Sequence, residues 1–505
     1  MNLKQKIGQL FMVGFDGTEV NAHIENLIKN YNVGNIILFE RNCKNPAQIL
    51  KLTQDLQKLA MKYNGVPLFI GIDQENGMVI RISEGVCAFP GSMAQTNGAT
   101  EAEVYQVAKY TGEMLEALGI NYNLAPSLDI NNNPDNPIIG VRSFGEDAQT
   151  VSKMGCACIK GLQDAGIIAT AKHFPGHGDT AIDSHLSLPY IPHDKERLEK
   201  IELYPFKEAI KMGVKSIMTT HIIFPVYEQT HPATLSKNIL TELLRNQLGF
   251  NGIIITDCME MKAIDETYTA IKASTMAIEA GADIVCVSHS ENIQIACLEE
   301  TLKQSEQYTL LMDRIEKSCK RILSEKSTIN IEEFLNRNIS EIEFKLKPKL
   351  AIKLAKKISK NSIKIINKDI NLPIKNNKVL IIAPDSRGIN GADGMWYIPN
   401  FGMYAIEKKK NADAIRIETN LSDEIIMEIV TSSKYYDVII MCLYNSQFAK
   451  IQIKLANQLF DTHKKVICIA MRNPYDINLL KNPQTTICTF EYTPLSMDSL
   501  LEILF

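Results

Sequence analysis

The feature that most constrains the fold of this chain is a recurrence. Short apolar runs stand at 35–39, 68–72, 122–125, 167–170, 216–219, 252–255 and 283–287, and a run at 9–15 adds an early one. Most pass into a polar loop and then into a stretch with helical spacing. Those amphipathic stretches lie at 47–63, 103–118, 150–165, 196–212, 235–248 and 267–280. Strands alternating with helices imply parallel pairing and βα units. Seven or eight such units predict a (β/α)8 TIM-type barrel, although a doubly wound sheet would carry the same alternation.

The polar residues help to choose between the two. Asp73 follows LFIGI, Lys172 and His173 follow IIATA, His221 follows IMTT, Asp257 follows IIIT, and His289 follows IVCVS. Each stands at the C-terminal end of a different strand. A closed barrel gathers those ends on one face. Polar loops do begin at strand ends, but that explains one or two such positions more easily than five.

Beyond 327 the texture changes. Residues 329–372 read as a helical linker rich in Lys, best taken as a solvated connection rather than a site for an anionic partner. Four more strand-like runs follow, NNKVLIIAP, NADAIRIE, YYDVIIMCLY and KKVICIAM. They predict a smaller open-sheet α/β/α domain over 373–505, after a catalytic barrel over 1–328. With 505 residues, two domains are the default. The segment RGINGADG at 387–394 matches neither GxxxxGK nor GxGxxG, so no nucleotide cofactor is expected.

Several classes fall away on composition. A net charge of −4 gives no footprint for nucleic acid. No run of eighteen apolar residues exists to span a membrane. The opening MNLKQKIGQLFMVGF has a short apolar run and no A-x-A-like site, which reads as no signal peptide. Eleven Cys, an odd number and several in apolar runs, suit buried thiols in a cytoplasmic protein. Cys156-x-Cys158 has the wrong spacing for a redox pair.

Chemistry concentrates in AKHFPGHGDTAIDSH, residues 171–185. Pro175, Gly176 and Gly178 argue against an unbroken helix or strand there. Ordering so polar a loop costs entropy, which points to function. Asp183 and His185 can meet if the loop turns, and a carboxylate beside imidazole fixes its tautomer and lets it move a proton near neutral pH. A plain turn is the competing reading. His173, His177, Asp179, Asp183 and His185 could also be weighed as zinc ligands, but HFPGH is not the helical HExxH arrangement and no Cys joins it, so no metal is expected. No G-x-S-x-G elbow supports a serine hydrolase. Asp257, directly after three Ile and a Thr, is the sharpest candidate for covalent chemistry, since a strand holds it rigidly. Capping of a following helix is its alternative role.

These segments carry a resemblance. IGIDQENGMVIR at 70–81, GINYNLAPSLDINNNP at 119–134, GVRSFGED at 140–147, KHFPGHGDTAIDSHLSLP at 172–189, MTTHIIFPVYEQTHPATLS at 218–236 and IIITDCMEM at 253–261 together resemble glycoside hydrolase family 3, in its β-N-acetylglucosaminidase branch. The resemblance implies that Asp257 is the nucleophile and that Asp183 and His185 form the general acid/base dyad. It further implies sugar binding by Asp73, Arg81, Arg142, Lys172 and His173, with His221 on the floor of the site. Asp73 with Arg81 could instead be a structural ion pair, and Arg142 could brace Asp129 or Asp257.

The activity so implied is exo-acting, retaining removal of terminal N-acetylglucosamine from cell-wall-derived or chitin-type oligosaccharides, including muropeptides. A β-N-acetylglucosaminide phosphorylase and a β-glucosidase or β-xylosidase are the alternatives. Three positions depart from the family. Cys258 replaces a second Asp after the nucleophile, and Asn76 and Met78 alter the usual EGGR. The smaller domain is left with three open roles: bracing the barrel, forming an edge of the site, or building a homodimer.

Overall fold

In a computed structural model of the chain, the described residues are 1–180, 188–375, 377–385, 399–408, 410–418, 421–463 and 465–505. Eight parallel strands close a barrel: β1 (Phe11–Val13), β2 (Asn35–Leu38), β3 (Phe69–Ile72), β4 (Tyr122–Asn123), β5 (Ile168–Phe174), β6 (Ser216–Thr219), β7 (Ile253–Cys258) and β8 (Ile284–Val287). β1 pairs with both β2 and β8, which closes the ring and excludes the doubly wound sheet. The apolar runs form strands because both of their faces are covered. Side chains such as Ile36, Ile70, Ile217, Ile254 and Val285 are fully buried, between the barrel interior and the outer helices.

The helices follow the amphipathic stretches. Pro46–Tyr63, Glu101–Ala117 and Ala148–Asp164 match the spacing closely. The stretch at 196–212 is split into Lys195–Lys200 and Tyr204–Met212 around Ile201–Leu203, with Pro205 opening the second helix.

A second sheet has the order β11-β10-β12-β13-β14-β9. Its strands are β9 (Lys364–Lys368), β10 (Val379–Pro384), β11 (Ala412–Ile417), β12 (Val438–Leu443), β13 (Val466–Ala470) and β14 (Thr485–Cys488). Four of them are the runs read from the sequence. β14, TTIC, is too short and polar to announce itself. β9 lies within the 329–372 stretch and is an antiparallel edge with mostly exposed residues, so it lacks an apolar pattern. Helices Ile331–Leu335, Ile339–Leu346 and Lys349–Ser362 fill the remainder of that stretch.

The Lys-rich helix Lys349–Ser362 buries Ala351, Ala355 and Ile358 against Phe89 and Val107. Its lysines face outward, and Lys357 and Lys360 pair with Glu103 and Glu502. The run is therefore a solvated face, as the blander sequence reading has it. Among the described residues no helix is long and apolar enough to cross a membrane.

Candidate active site

Strand ends supply the site. Asp73 follows β3 directly, Lys172 and His173 stand at the end of β5, Asp257 is the penultimate residue of β7, and His289 stands two residues past β8. All five line one cavity of about 500 Å³ at the C-terminal mouth of the barrel. Arg81 and Arg142, from the loops after β3 and β4, line it too.

The first wall is a chain of ions. Lys172 Nζ lies 2.8 Å from Asp73 Oδ1 and 2.7 Å from Glu75 Oε1. Arg142 grips Glu75 bidentately, with Nη2 2.7 Å from Oε1 and Nε 3.0 Å from Oε2. Arg81 Nη2 stands 3.8 Å from Asp73 Oδ2, too far for a hydrogen bond, so the tight partner of Asp73 is Lys172. Burial alone would raise the Glu75 carboxyl, but Arg142 and Lys172 outweigh it and hold the group well below the carboxylate range. Burial would likewise lower the Lys172 ammonium, and Asp73 and Glu75 reverse the sign. Both wall cations are therefore charged at any physiological pH.

Behind this wall sits Asp129, fully buried. It accepts from the backbone N–H of His173 and of His177, at 3.1 and 2.7 Å, and pairs with His173 Nδ1 at 2.7 Å. Burial pushes its carboxyl up, yet the facing His173 and the hydrogen bonds bring it down to about 2. That fixed anion orients His173 toward the cavity. His177 is pushed down to about 4 by burial and by His173, so it stands neutral. The chain turns here because Gly178 lies against the Ile130 backbone: a Cβ at Gly178 would meet Ile130 O at 1.6 Å. Asn136 Nδ2 secures the turn by donating to the carbonyls of His177 and Gly178, each at 2.8 Å.

The opposite wall is looser. Asp257 Oδ1 accepts from the Cys258 N–H at 2.7 Å. Cys258 is a neutral neighbour, since burial pushes its thiol up to about 11. The next helix starts only at Lys262, with Met261 before it, so Asp257 is not a helix cap. Glu260 accepts from the backbone N–H groups of His289 and Ser290, at 2.7 and 2.9 Å. Arg41 stacks on Phe39, 4.4 Å from the ring centroid, and donates to Ser288 O.

Two expectations change. His221 does not line the cavity but lies buried behind it. Its Nε2 is 3.0 Å from Cys258 O and its Nδ1 2.9 Å from Thr234 Oγ1, so both ring nitrogens are engaged in holding the end of β7. Arg142 braces neither Asp129 nor Asp257 directly; its partner is Glu75. Asp183 and His185 lie outside the described residues.

Sequence reasoning passed over Glu75, Arg41 and Glu260. Glu75 follows Asp73 by two residues, and an extended backbone puts such residues on one face. Arg41 obeys the strand-end rule at β2, in NIILFER.

Asp179, His193 and Glu202 bring donor atoms within 4.8 Å of one another, a spacing that could hold a cation. Arg197 already supplies the charge, with Nη2 2.9 Å from Asp179 Oδ2 and 3.4 Å from Glu202 Oε1. A guanidinium thus already bridges two of the three donors.

The chain as a whole is similar to known proteins. A family model described as the glycosyl hydrolase family 3 N-terminal domain matches residues 2–325. Beta-hexosaminidase A of Pseudoalteromonas piscicida is 41% identical over 286 residues, which cover 53% of this chain and 48% of that protein. The chain thus spans about half the length of that relative. A beta-hexosaminidase of Alkalilimnicola ehrlichii is 33% identical over 289 residues, covering 56% of this chain and 81% of the other. A solved glycoside hydrolase family 3 beta-N-acetylglucosaminidase from Paenibacillus sp. str. FPU-7 superposes with a TM-score of 0.92 at 39% identity, over 99% of this chain and 96% of that one.

Proposed function

Because the chain belongs to glycosyl hydrolase family 3, we propose that it is an exo-acting, retaining β-N-acetylglucosaminidase. Both domains align with the Paenibacillus β-N-acetylglucosaminidase, which supports the N-acetylglucosamine preference. The observation that carries the reading is one cavity holding a strand-borne carboxylate, Asp257, opposite the Asp73–Lys172–Glu75–Arg142 network.

In this reading the network and His173 bind the hydroxyls of the terminal sugar through charge-assisted hydrogen bonds. Asp257 attacks the anomeric carbon as the bond to the departing oxygen breaks. His185, oriented by Asp183, gives that oxygen its proton. Most retaining enzymes use two carboxylates for these tasks. A fixed anion beneath an oxocarbenium-like transition state stabilises the positive charge as it develops. Water, deprotonated by the same imidazole, then attacks the glycosyl-enzyme from the face that the leaving group left, and configuration is retained.

The natural substrates in this reading are cell-wall-derived or chitin-type oligosaccharides, muropeptides among them. All eleven cysteines are free thiols and six are buried, which suits action in a reducing cytoplasm. The test compares aryl β-glycosides of N-acetylglucosamine, glucose and xylose, in phosphate and in a non-phosphate buffer. Preferential release of β-configured N-acetylglucosamine in both buffers is expected. Accumulation of a sugar 1-phosphate, or preference for glucose or xylose, would overturn the assignment.

A further inference from the structure

The loops that carry Glu75 and Arg142 both meet the second domain. Glu75 opens a tight turn in which Asn76 and Gly77 have φ of 74° and 61°, a left-handed pair suited to a hairpin. Glu75 N–H donates to Val79 O across its base at 2.9 Å. Residues 490–492 of the second domain seat that turn. Glu491 Oε2 accepts from Gly91 N–H at 2.7 Å, and a Cβ on Gly77 would come within 3.0 Å of the same oxygen. The Tyr492 N–H donates to Met78 Sδ at 3.3 Å.

Arg142 is reached by a second route. Tyr475 OH donates to Glu146 and accepts from Asn131 Nδ2 at 2.8 Å. Asn131 Oδ1 in turn accepts from the N–H of Gly140 at 3.1 Å, the first residue of the short helical turn Gly140–Arg142. Met78, three residues past Glu75, and Val141, next to Arg142, are both buried in the core of the second domain beside Phe490 and Tyr492. A void of about 10 Å³ separates Glu491 from Glu75 and Arg142.

We propose that the second domain positions the sugar-binding ion network, with Tyr475 and Glu491 as positioning residues that clasp the loops carrying Arg142 and Glu75. The proposal rests on reading that network as the sugar subsite. It gives the departure at Met78 a purpose, because an Arg there would be driven into the second domain's apolar core. It also gives Glu491 a role that its burial alone does not. Burial pushes that carboxyl up to about 7, so glutamine is a fair stand-in for its neutral form. Thr493 Oγ1, 3.0 Å from Glu491 Oε1, can reverse its hydrogen bond to suit the amide.

The test uses the full chain with Tyr475→Phe, Glu491→Ala and the double variant, and with Glu491→Gln as the conservative stand-in, which keeps an acceptor for the Gly91 N–H and should leave both readouts at the parent's values. Ser359→Ala is the control, since Ser359, in the linker helix, meets Ser499 of the second domain at 2.9 Å, away from the cavity. Two readouts are taken: hydrogen exchange of the segments 70–81 and 131–145, and kinetics on an aryl β-N-acetylglucosaminide. The single variants should speed exchange in their own segment, Glu491→Ala in the first and Tyr475→Phe in the second. The double variant should raise KM about tenfold with kcat within about twofold, the pattern of lost binding rather than lost chemistry. Ser359→Ala should change neither readout, whatever it costs in stability.

Unchanged exchange in both segments overturns the proposal, and so does faster exchange with an unchanged KM. Should the double variant fail to fold, the two single variants decide by the same criteria. A wild-type chain that cleaves no N-acetylglucosaminide would overturn the functional reading instead. The exchange data would then still show whether the clasp exists.

Discussion

The two walls of the cavity are built on opposite principles. On the β3–β5 side every carboxylate is matched. Asp73, Glu75 and Asp129 face Lys172, Arg142 and His173, and the side chains of Glu75, Lys172 and Arg142 are 3–5% exposed. On the β7–β8 side Asp257 takes a backbone N–H and stands beside a neutral thiol, in a half-buried position. Buried, mutually neutralising ions are costly to desolvate and contribute little net stability, but they fix geometry and do not titrate near neutral pH. That suits a wall whose task is to bind. A carboxylate held by its strand, half-buried beside a neutral thiol, suits a wall whose task is to react. On the proposed assignment, the contrast teaches that charge density is a poor guide to where bonds are made in this cavity.

The comparison breaks most sharply at Asp257. Asp257→Ala should lower kcat by roughly 10⁴-fold, about 5 kcal/mol of transition-state stabilisation, while thermal melting shifts little because the side chain is only half-buried. Added azide should restore turnover and give the glycosyl azide of inverted configuration. Undiminished activity in the variant would move the chemistry elsewhere. Glu75→Gln should do the reverse. It leaves Lys172 and Arg142 with one fewer anion between them, and breaking a buried pair from one side costs about 3–5 kcal/mol of stability. Chemical denaturation would measure that loss. The surviving folded enzyme should show its defect mainly in KM. A Glu75→Gln chain as stable as the parent would mean that the first wall is not the rigid binding frame described above.

These contrasts also explain what the sequence could and could not reveal. The barrel was legible because its strands are buried on both faces and read as plain apolar runs. Asp73, Lys172, His173 and Asp257 were legible because a closed barrel turns strand ends into one surface. Glu75 was hidden because its meaning comes from Arg142, 67 residues later, and no local pattern joins them. His221 obeyed the strand-end rule yet points behind the cavity, where Thr234 and the Cys258 carbonyl take both of its nitrogens. Position along a strand gives the end of the barrel, not the direction of the side chain. Met78 read as a departure from a motif, whereas its reason lies in a domain that begins some 300 residues later. β9 and β14 escaped notice since an exposed edge and a four-residue run carry little periodic signal.

The smallest expected effect is the most discriminating, because it gives the reacting wall the character of the binding one. Cys258→Asp places a second carboxylate beside Asp257, where the present thiol is uncharged until about pH 11. A neighbouring anion disfavours ionisation of Asp257, so its pKa rises and the acidic limb of the kcat/KM profile moves to higher pH, by roughly half a unit to one unit, or about 1 kcal/mol. The two carboxyls would titrate as a pair, and the limb would report the pair. The alkaline limb, set in this reading by His185, should stay in place. If the acidic limb stays while the alkaline limb moves, the charge at 258 acts on the proton donor rather than on Asp257. The division of labour between the walls would then have to be redrawn with position 258 facing the departing oxygen.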